Sequence, residues 1–123
     1  MRLSREEFER LVAEAIEGLP QEFAERLQDV EFVVEDRPSP EDSREFGIGP
    51  GILVLGLYQG VPLIRRSVFD TTPMPDRISI FQRPIERICD TREQVVGQVR
   101  RTVLHEIAHH FGISEQRLRE LGY

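Results

Sequence analysis

The sequence of 123 residues contains one cysteine and no tryptophan, and only 7% of its residues are aromatic. A single thiol, Cys89, excludes an internal disulfide and a zinc site built from four cysteines. One cysteine also suits a reducing compartment, and we interpret it as a small buried side chain. The fold must therefore depend on an ordinary apolar core, which a chain of this length can bury.

Long apolar runs are absent as well. The longest run, Ile52–Tyr58, is interrupted by Gly56 and is far too short to span a bilayer. The charged N-terminal sequence MRLSREEFER lacks the apolar segment of a signal peptide. We therefore expect a cytoplasmic protein without a membrane partner.

Positive charge is in deficit, with 16 Lys and Arg against 22 Asp and Glu and a net charge of −6. A nucleic-acid partner requires a basic face, so we expect none. The hydrophobic share of 39% and the charged share of 31% are typical of a folded globular protein. We expect a single domain over residues 1–123, without repeats or linkers.

Periodicity and turn residues predict the secondary structure. The predicted elements are a helix from Ser4 to Gly18, a short helix at 20–28, a strand at Val30–Glu35, an exposed loop at Asp36–Pro50, strands at Ile52–Tyr58, Val61–Val68 and Arg77–Gln82, one helical turn at Pro84–Cys89, a long helix from Thr91 to Gly112, and a short helix at Glu115–Leu121. Pro62 makes Val61–Val68 an edge strand, paired through a hairpin turn at Gln59-Gly60. This order predicts an α+β fold, a mixed sheet of three to four strands packed against N-terminal helices and the long helix.

All three histidines lie close together near the end of the long helix. His105 and His109 are four positions apart, so an α-helix places both imidazoles on one face. Glu106 completes the pattern H-E-x-x-H, in which two histidines bind zinc and the glutamate is the general base. Zinc lowers the pKa of a bound water to about 7, and Glu106 is placed to reach that water rather than the metal. His110 lies one position off the ligand face, so we interpret it as a structural or surface residue.

The third zinc ligand has two interpretations. Gly112 permits a sharp reversal of the chain three residues after His109. Glu115, three residues further on, then turns back toward the metal as the candidate ligand. Alternatively, Glu115 is an acid favoured by the helix dipole in the first turn after the Ser114 cap.

The string H-E-x-x-H-x-x-G-x-x-E at His105–Glu115 resembles the extended signature of the metzincin and Asp-zincin metallopeptidases. Together with the chain length, and with GLYQGVPL at Gly56–Leu63 and PIER at Pro84–Arg87, it resembles the small bacterial zincin-like family called mini-zincins. That resemblance implies a zincin fold, one catalytic Zn²⁺ and peptide-bond hydrolysis. The histidine ligands of that family match His105 and His109, and its general base matches Glu106. Glu115 stands where Asp or His is usual, one methylene longer than Asp but with the same donor atoms.

One feature of metzincins is missing. They have a methionine beneath the zinc, downstream of the motif, whereas Met1 and Met74 both precede it here. Tyr123, which follows the last helix, is therefore a candidate to pack under the ligands or to donate a hydrogen bond to a developing oxyanion.

The sequence thus predicts a zinc-dependent metallopeptidase that acts on a peptide or protein. We expect an extended substrate to pair with the edge strand Val61–Val68. Arg65 and Arg66 on that strand either lie in solvent or steer an acidic peptide. The chain leaves little room for the lower half of a peptidase cleft, so completion of the groove by a partner or in a homodimer stays open.

Two other functions stay open. One is a non-catalytic zincin-like module that binds metal or another protein. The other is a metal-dependent hydrolase of a different bond, such as a small bacterial endoribonuclease with an H-x-x-x-H-x-x-G motif. Those enzymes usually carry a third histidine and a basic face, and the acidic chain has no histidine after His110, so this function ranks last.

Overall fold

The computed structural model of this chain describes residues 1–60 and 76–123, which contain six α-helices and three strands. The elements are α1 (Arg5–Glu17), α2 (Gln21–Ala24) with a 3₁₀ turn at Glu25–Leu27, β1 (Val30–Glu35), α3 (Pro40–Glu45), β2 (Gly56–Gln59), β3 (Asp76–Phe81), α4 (Gln82–Ile88), α5 (Arg92–Phe111) and α6 (Glu115–Glu120). The predicted α+β class is confirmed.

Short polar side chains begin the helices at the predicted positions. Ser4, Thr91 and Ser114 each accept a hydrogen bond of 3.1 Å from the backbone N–H three residues further on. Each bond satisfies one of the amides that have no partner within the first helical turn. Gly112 ends α5 in the left-handed conformation, with φ of 69°, and this separates α6 from α5.

The prediction that Asp36–Pro50 is entirely loop is wrong, because this stretch contains α3. The Ser39 hydroxyl accepts a hydrogen bond of 3.0 Å from the Asp42 amide, and the Asp42 carboxylate accepts one of 3.3 Å from the Ser39 amide. This reciprocal capping box, with Pro40 in the first turn, favours helix initiation. The proline taken as a loop residue instead marks the start of a helix.

Two further elements differ in length from their predictions. Of the strand predicted at Ile52–Tyr58, only the residues from Gly56 onward belong to a strand, and Ile52 is 60% exposed. The helical turn predicted at Pro84–Cys89 begins earlier, at Gln82, and forms the two turns of α4. The strand predicted at Val61–Val68 lies outside the described residues.

β3 is the centre of the described sheet. It pairs in parallel with β1 and antiparallel with β2, so the strand order is β1-β3-β2 and the sheet is mixed. Its last four residues are all buried, as expected of a strand covered on both faces. β2 lies at one edge of this described sheet and contacts α5.

α5 packs against α1 and covers the sheet. The fully buried side chains include Phe8 and Phe23 from the N-terminal helices, Ile78, Ile80 and Phe81 from β3, and Val95, Val99, Val103, Leu104 and Ile107 from α5. Among the described residues, no helix is long and apolar enough to cross a membrane. A single domain over residues 1–123 stays a prediction.

Candidate metal centre

The H-E-x-x-H segment lies in the last two turns of α5. Leu104, Ile107 and Ala108 are buried there and fix which face of the helix meets the core. His105 consequently lies at the margin of the buried face, with a side chain that is 41% exposed, and His109 is exposed one turn later. Both imidazoles are therefore accessible on the same side of the helix.

Glu115 approaches His105 across the turn between α5 and α6. The distance from His105 Nδ1 to Glu115 Oε1 is 3.5 Å. Two ligands of one tetrahedral zinc, with bonds of 2.0–2.1 Å, lie about 3.4 Å apart, so this separation fits two atoms that share a metal. The same contact also suits a carboxylate that accepts a hydrogen bond from a histidine ligand.

The candidate ligands do not form a ready-made cluster. Within residues 1–60 and 76–123, no three His, Cys, Asp or Glu side chains are close enough together to hold a metal ion. An exposed side chain changes rotamer within nanoseconds, so its position is no barrier to metal binding. Two imidazoles and a carboxylate are donors that zinc accepts, and we conclude that the residues present fit this metal.

Glu106 lies half-buried between α5 and the edge of the sheet. The backbone N–H of Tyr58, in β2, donates a hydrogen bond of 3.0 Å to its Oε2 atom. Burial raises the pKa of the Glu106 carboxyl above its ordinary value, although the Tyr58 amide and the charges of His109 and His105 oppose the increase. A carboxylate with a raised pKa is a better proton acceptor near neutral pH.

Tyr58 is held in place by two further contacts. Its ring stacks on His110 with centroids 4.0 Å apart and an interplanar angle of 18°, and its hydroxyl donates a hydrogen bond of 2.7 Å to Asp76 Oδ2. Burial and the adjacent Asp76 carboxylate raise the pKa of the Tyr58 hydroxyl well above its ordinary range. These contacts fix β2 against the end of α5 and so position the amide that binds Glu106.

Sequence reasoning misses this role of Tyr58, which it identifies as the end of a predicted strand. The side chain does pack against the core, but it is only partly buried. Tyr58 and Glu106 are separated by 48 positions, and no local spacing signals a contact over that distance. The stacked position of His110 agrees with its interpretation as a structural residue.

Tyr123 lies partly buried against the hydrophobic core, and its backbone N–H donates a hydrogen bond of 2.9 Å to Leu118 O. In the part of the chain that the structure describes, its hydroxyl makes no hydrogen bond to His105, Glu106 or Glu115. The role of Tyr123 beneath the zinc or at an oxyanion therefore stays a prediction.

A cavity of about 380 Å³ opens beside His105 and Glu106. One wall is the extended backbone at positions 53–56, and the other carries polar side chains of α5. Gly56 makes the close approach of these walls feasible, because a Cβ there would lie 2.7 Å from Thr102 Cγ2 and 3.0 Å from Ser79 O. A cavity between a strand edge and a helix, next to a half-buried proton acceptor, is suited to an extended chain.

Two comparisons find similar proteins. A family model described as zincin-like metallopeptidase matches residues 27–123 of the chain. A solved structure of a conserved hypothetical protein from Thermus thermophilus superposes with a TM-score of 0.56 at 25% identity, and the match covers 89% of this chain and 94% of that protein. No functionally curated protein matches the sequence.

Proposed function

The chain belongs to the zincin-like metallopeptidase family, and we propose on that basis that it hydrolyses peptide bonds with a zinc ion held by His105, His109 and Glu115. The observation that carries this proposal is the 3.5 Å approach of Glu115 to His105, since a turn between two helices brings a carboxylate to the first histidine of the motif. Outside a metal site, an exposed His–Glu contact of this kind contributes little to stability.

Each residue has a distinct role in the proposed reaction. When bound, zinc acts as a Lewis acid and makes hydroxide available near neutral pH. Glu106 accepts the proton of the attacking water, and the Tyr58 amide fixes one oxygen of its carboxylate while the other is available for proton transfer. The same carboxyl, now protonated, would then act as general acid and donate this proton to the leaving amine. Tyr123 is proposed as support for the ligands.

The substrate in this proposal is an extended peptide or an exposed segment of a protein. It would lie along the edge of the sheet beside Glu106, where main-chain hydrogen bonds bind an added strand. Within the described residues that edge belongs to β2. Completion of the groove by a second copy of the chain is part of the same proposal.

One observation favours a second candidate, a non-catalytic module of the same family. No complete ligand cluster is formed in advance among the described residues. A scaffold that has lost catalysis would tolerate such an arrangement. The two candidates differ in whether bound zinc is accompanied by cleavage.

The experiment combines metal analysis with a peptide-library digest of the purified full chain. We expect one zinc per chain in the wild type and in Glu106→Gln, because the glutamine removes the proton acceptor without removing a ligand. We expect cleavage by the wild type and a rate about 10²–10⁴-fold lower in Glu106→Gln. Glu93→Gln, an exposed position in the first turn of α5, is the matched control and should cleave like the wild type.

The outcomes separate the candidates. Bound zinc without cleavage would refute the peptidase and support the non-catalytic module. Failure to take up zinc under any loading condition would refute the metal site itself. Equal cleavage by wild type and Glu106→Gln would show that Glu106 is not the base.

A further inference from the structure

A second cavity, of about 580 Å³, adjoins the one beside Glu106. The two cavities share Leu53 and Val54 in their walls, so they lie next to each other on the surface. His105 and Glu106 of α5 line the first cavity, and Ile88, the last residue of α4, lines the second. We call the two adjoining cavities together the arginine groove, because they are lined by Arg101, Arg87 and Arg37.

The arginine groove is positively charged, whereas the whole chain has a net charge of −6. Among the described residues, the groove walls carry one acid, Glu106, at the catalytic end. Beyond Glu106, every charged side chain of the walls is an arginine. A surface of this kind attracts acidic ligands to one region of an otherwise acidic protein.

Arg101 is oriented by a row of hydrogen bonds on α5. Its Nη2 atom donates to Gln98 Oε1 at 3.3 Å, and Gln98 Nε2 donates to Thr102 Oγ1 at 3.3 Å. Arg101 precedes His105 by four positions, or about 6 Å of helical rise, which is roughly the length of two residues of an extended peptide. A guanidinium held in this way binds a carboxylate through two parallel hydrogen bonds.

The groove also exposes apolar side chains at its far end. Ile52 is 60% exposed, Ile88 is 49% exposed and Leu53 is 43% exposed. Large apolar side chains grouped at the surface are typical of a site that contacts another molecule. The groove therefore combines three cations with an apolar floor.

We propose that the arginine groove binds an extended acidic peptide segment, in which a carboxylate side chain contacts Arg101 and a neighbouring apolar side chain contacts Ile52 and Ile88. The identification of this segment as the substrate rests on the proposed peptidase function, whereas its binding does not. The class of substrate is thus a protein segment with acidic residues within about two positions of the scissile bond.

The test measures binding rather than cleavage, in the full chain carrying Glu106→Gln. The probes are three capped octapeptides of alanine and leucine that differ only in carrying two Glu, two Gln or two Lys. We expect the Glu peptide to bind about fivefold more tightly than the Gln peptide and the Lys peptide to bind most weakly, with differences that shrink as salt is added. Amide NMR shifts should fall at positions 53–56 and 98–106.

Substitution of Arg101 links the preference to this residue. Arg101→Gln should reduce the Glu-over-Gln preference to below about twofold, and Arg101→Lys should retain part of it. Arg10→Gln removes the same charge from the exposed face of α1 and should change nothing, which controls for net charge.

Equal binding of the Glu and Gln peptides would refute this inference, as would a preference that survives Arg101→Gln. NMR shifts confined to other surfaces would also refute it, and so would a groove occupied by a second copy of the chain that excludes every peptide. Acid-selective binding without any cleavage by the wild type would refute the peptidase function and support the acidic ligand. Cleavage by the wild type without a preference for acidic peptides would support the peptidase function and refute the acidic ligand.

Discussion

Glu115 can serve a zinc site in two ways that the His105 contact alone does not separate. As a ligand it would share the metal with His105, and as a second-layer residue it would accept a hydrogen bond from the His105 ring. The two roles differ in energy, because loss of such a second-layer partner typically lowers metal affinity by about 10–100-fold. Loss of one of three protein ligands removes a coordinate bond and should cost more.

We predict that Glu115→Ala lowers zinc affinity by more than about 100-fold, beyond the range for a second-layer residue. Glu115→Asp should bind more tightly than Glu115→Ala, because it keeps a carboxylate within reach of the metal. Competition with a chromophoric chelator measures the zinc affinity of both variants. Glu120→Ala, at the other end of α6, controls for the loss of one negative charge, and a reduction of less than about tenfold in Glu115→Ala would exclude coordination.

The candidate site is predictable at the residue scale where its chemistry depends on local spacing. The spacing of His105 and His109 places both on one helix face, the H-E-x-x-H pattern identifies Glu106, and Gly112 follows from the need for a left-handed residue at the helix end. Tyr58 could not be found in this way. It reaches Glu106 only because the sheet brings β2 against α5.

At the scale of elements, the contact between β2 and α5 positions both Glu106 and the first cavity. The two elements approach at Gly56, where a Cβ would overlap the Thr102 methyl at 2.7 Å. The space that a side chain at position 56 would need is occupied by Thr102 of α5. Any side chain at position 56 must therefore push the strand away from the helix or displace Ser79.

We predict that Gly56→Ala destabilises the protein by about 1–3 kcal/mol, as overpacking of a buried contact does. Thr102→Ser deletes the overlapping methyl and keeps a hydroxyl for Gln98, so Gly56→Ala combined with Thr102→Ser should regain part of the loss. Denaturant unfolding of the wild type, the two single variants and the double variant gives the coupling free energy between positions 56 and 102. Strict additivity of the two single effects would show that Thr102 is not what restricts position 56.

Helix starts can be predicted from the sequence except at α3 and α4. Ser4, Thr91 and Ser114 are recognisable as helix starts because each precedes a clear helical segment. Ser39 and Asp42 form an equally good capping box, but prolines and glycines around it favoured a loop. Local capping chemistry outweighed composition, and this is the physical reason why the prediction at Asp36–Pro50 was wrong.

At the scale of the molecule, the sheet order could not be derived from the sequence. β1 and β3 pair in parallel although a long stretch of chain, from Glu35 to Asp76, separates the end of one from the start of the other. Strand patterns give a propensity for pairing but not a partner, because the core decides which strand is central. β3 is central since its last four residues are buried, whereas β1 is mostly half-buried.

The N-terminal helices lie outside the 27–123 segment that matches the family, yet they complete the core. α1 buries Phe8, Val12 and Ala15 and packs against α5, where Arg100 donates a hydrogen bond of 3.0 Å to Ala15 O. Without α1, the apolar face of α5 that supports the candidate metal site would be exposed to solvent. We therefore expect that the matched segment does not fold as a complete unit.

We predict that a chain starting at residue 27 shows no cooperative thermal transition, and that Phe8→Ala in the full chain costs about 3–5 kcal/mol because it leaves a cavity under α5. That loss is a large share of the 5–15 kcal/mol free energy of unfolding of a typical domain. Deletion of every α1 contact should therefore cost more than the whole free energy of unfolding. Calorimetry measures both, and Glu9→Ala, exposed on α1, controls for changes to the helix itself. A sharp transition in the shortened chain, within a few degrees of the full-length one, would show that α1 is an accessory to the zincin-like domain rather than part of its core.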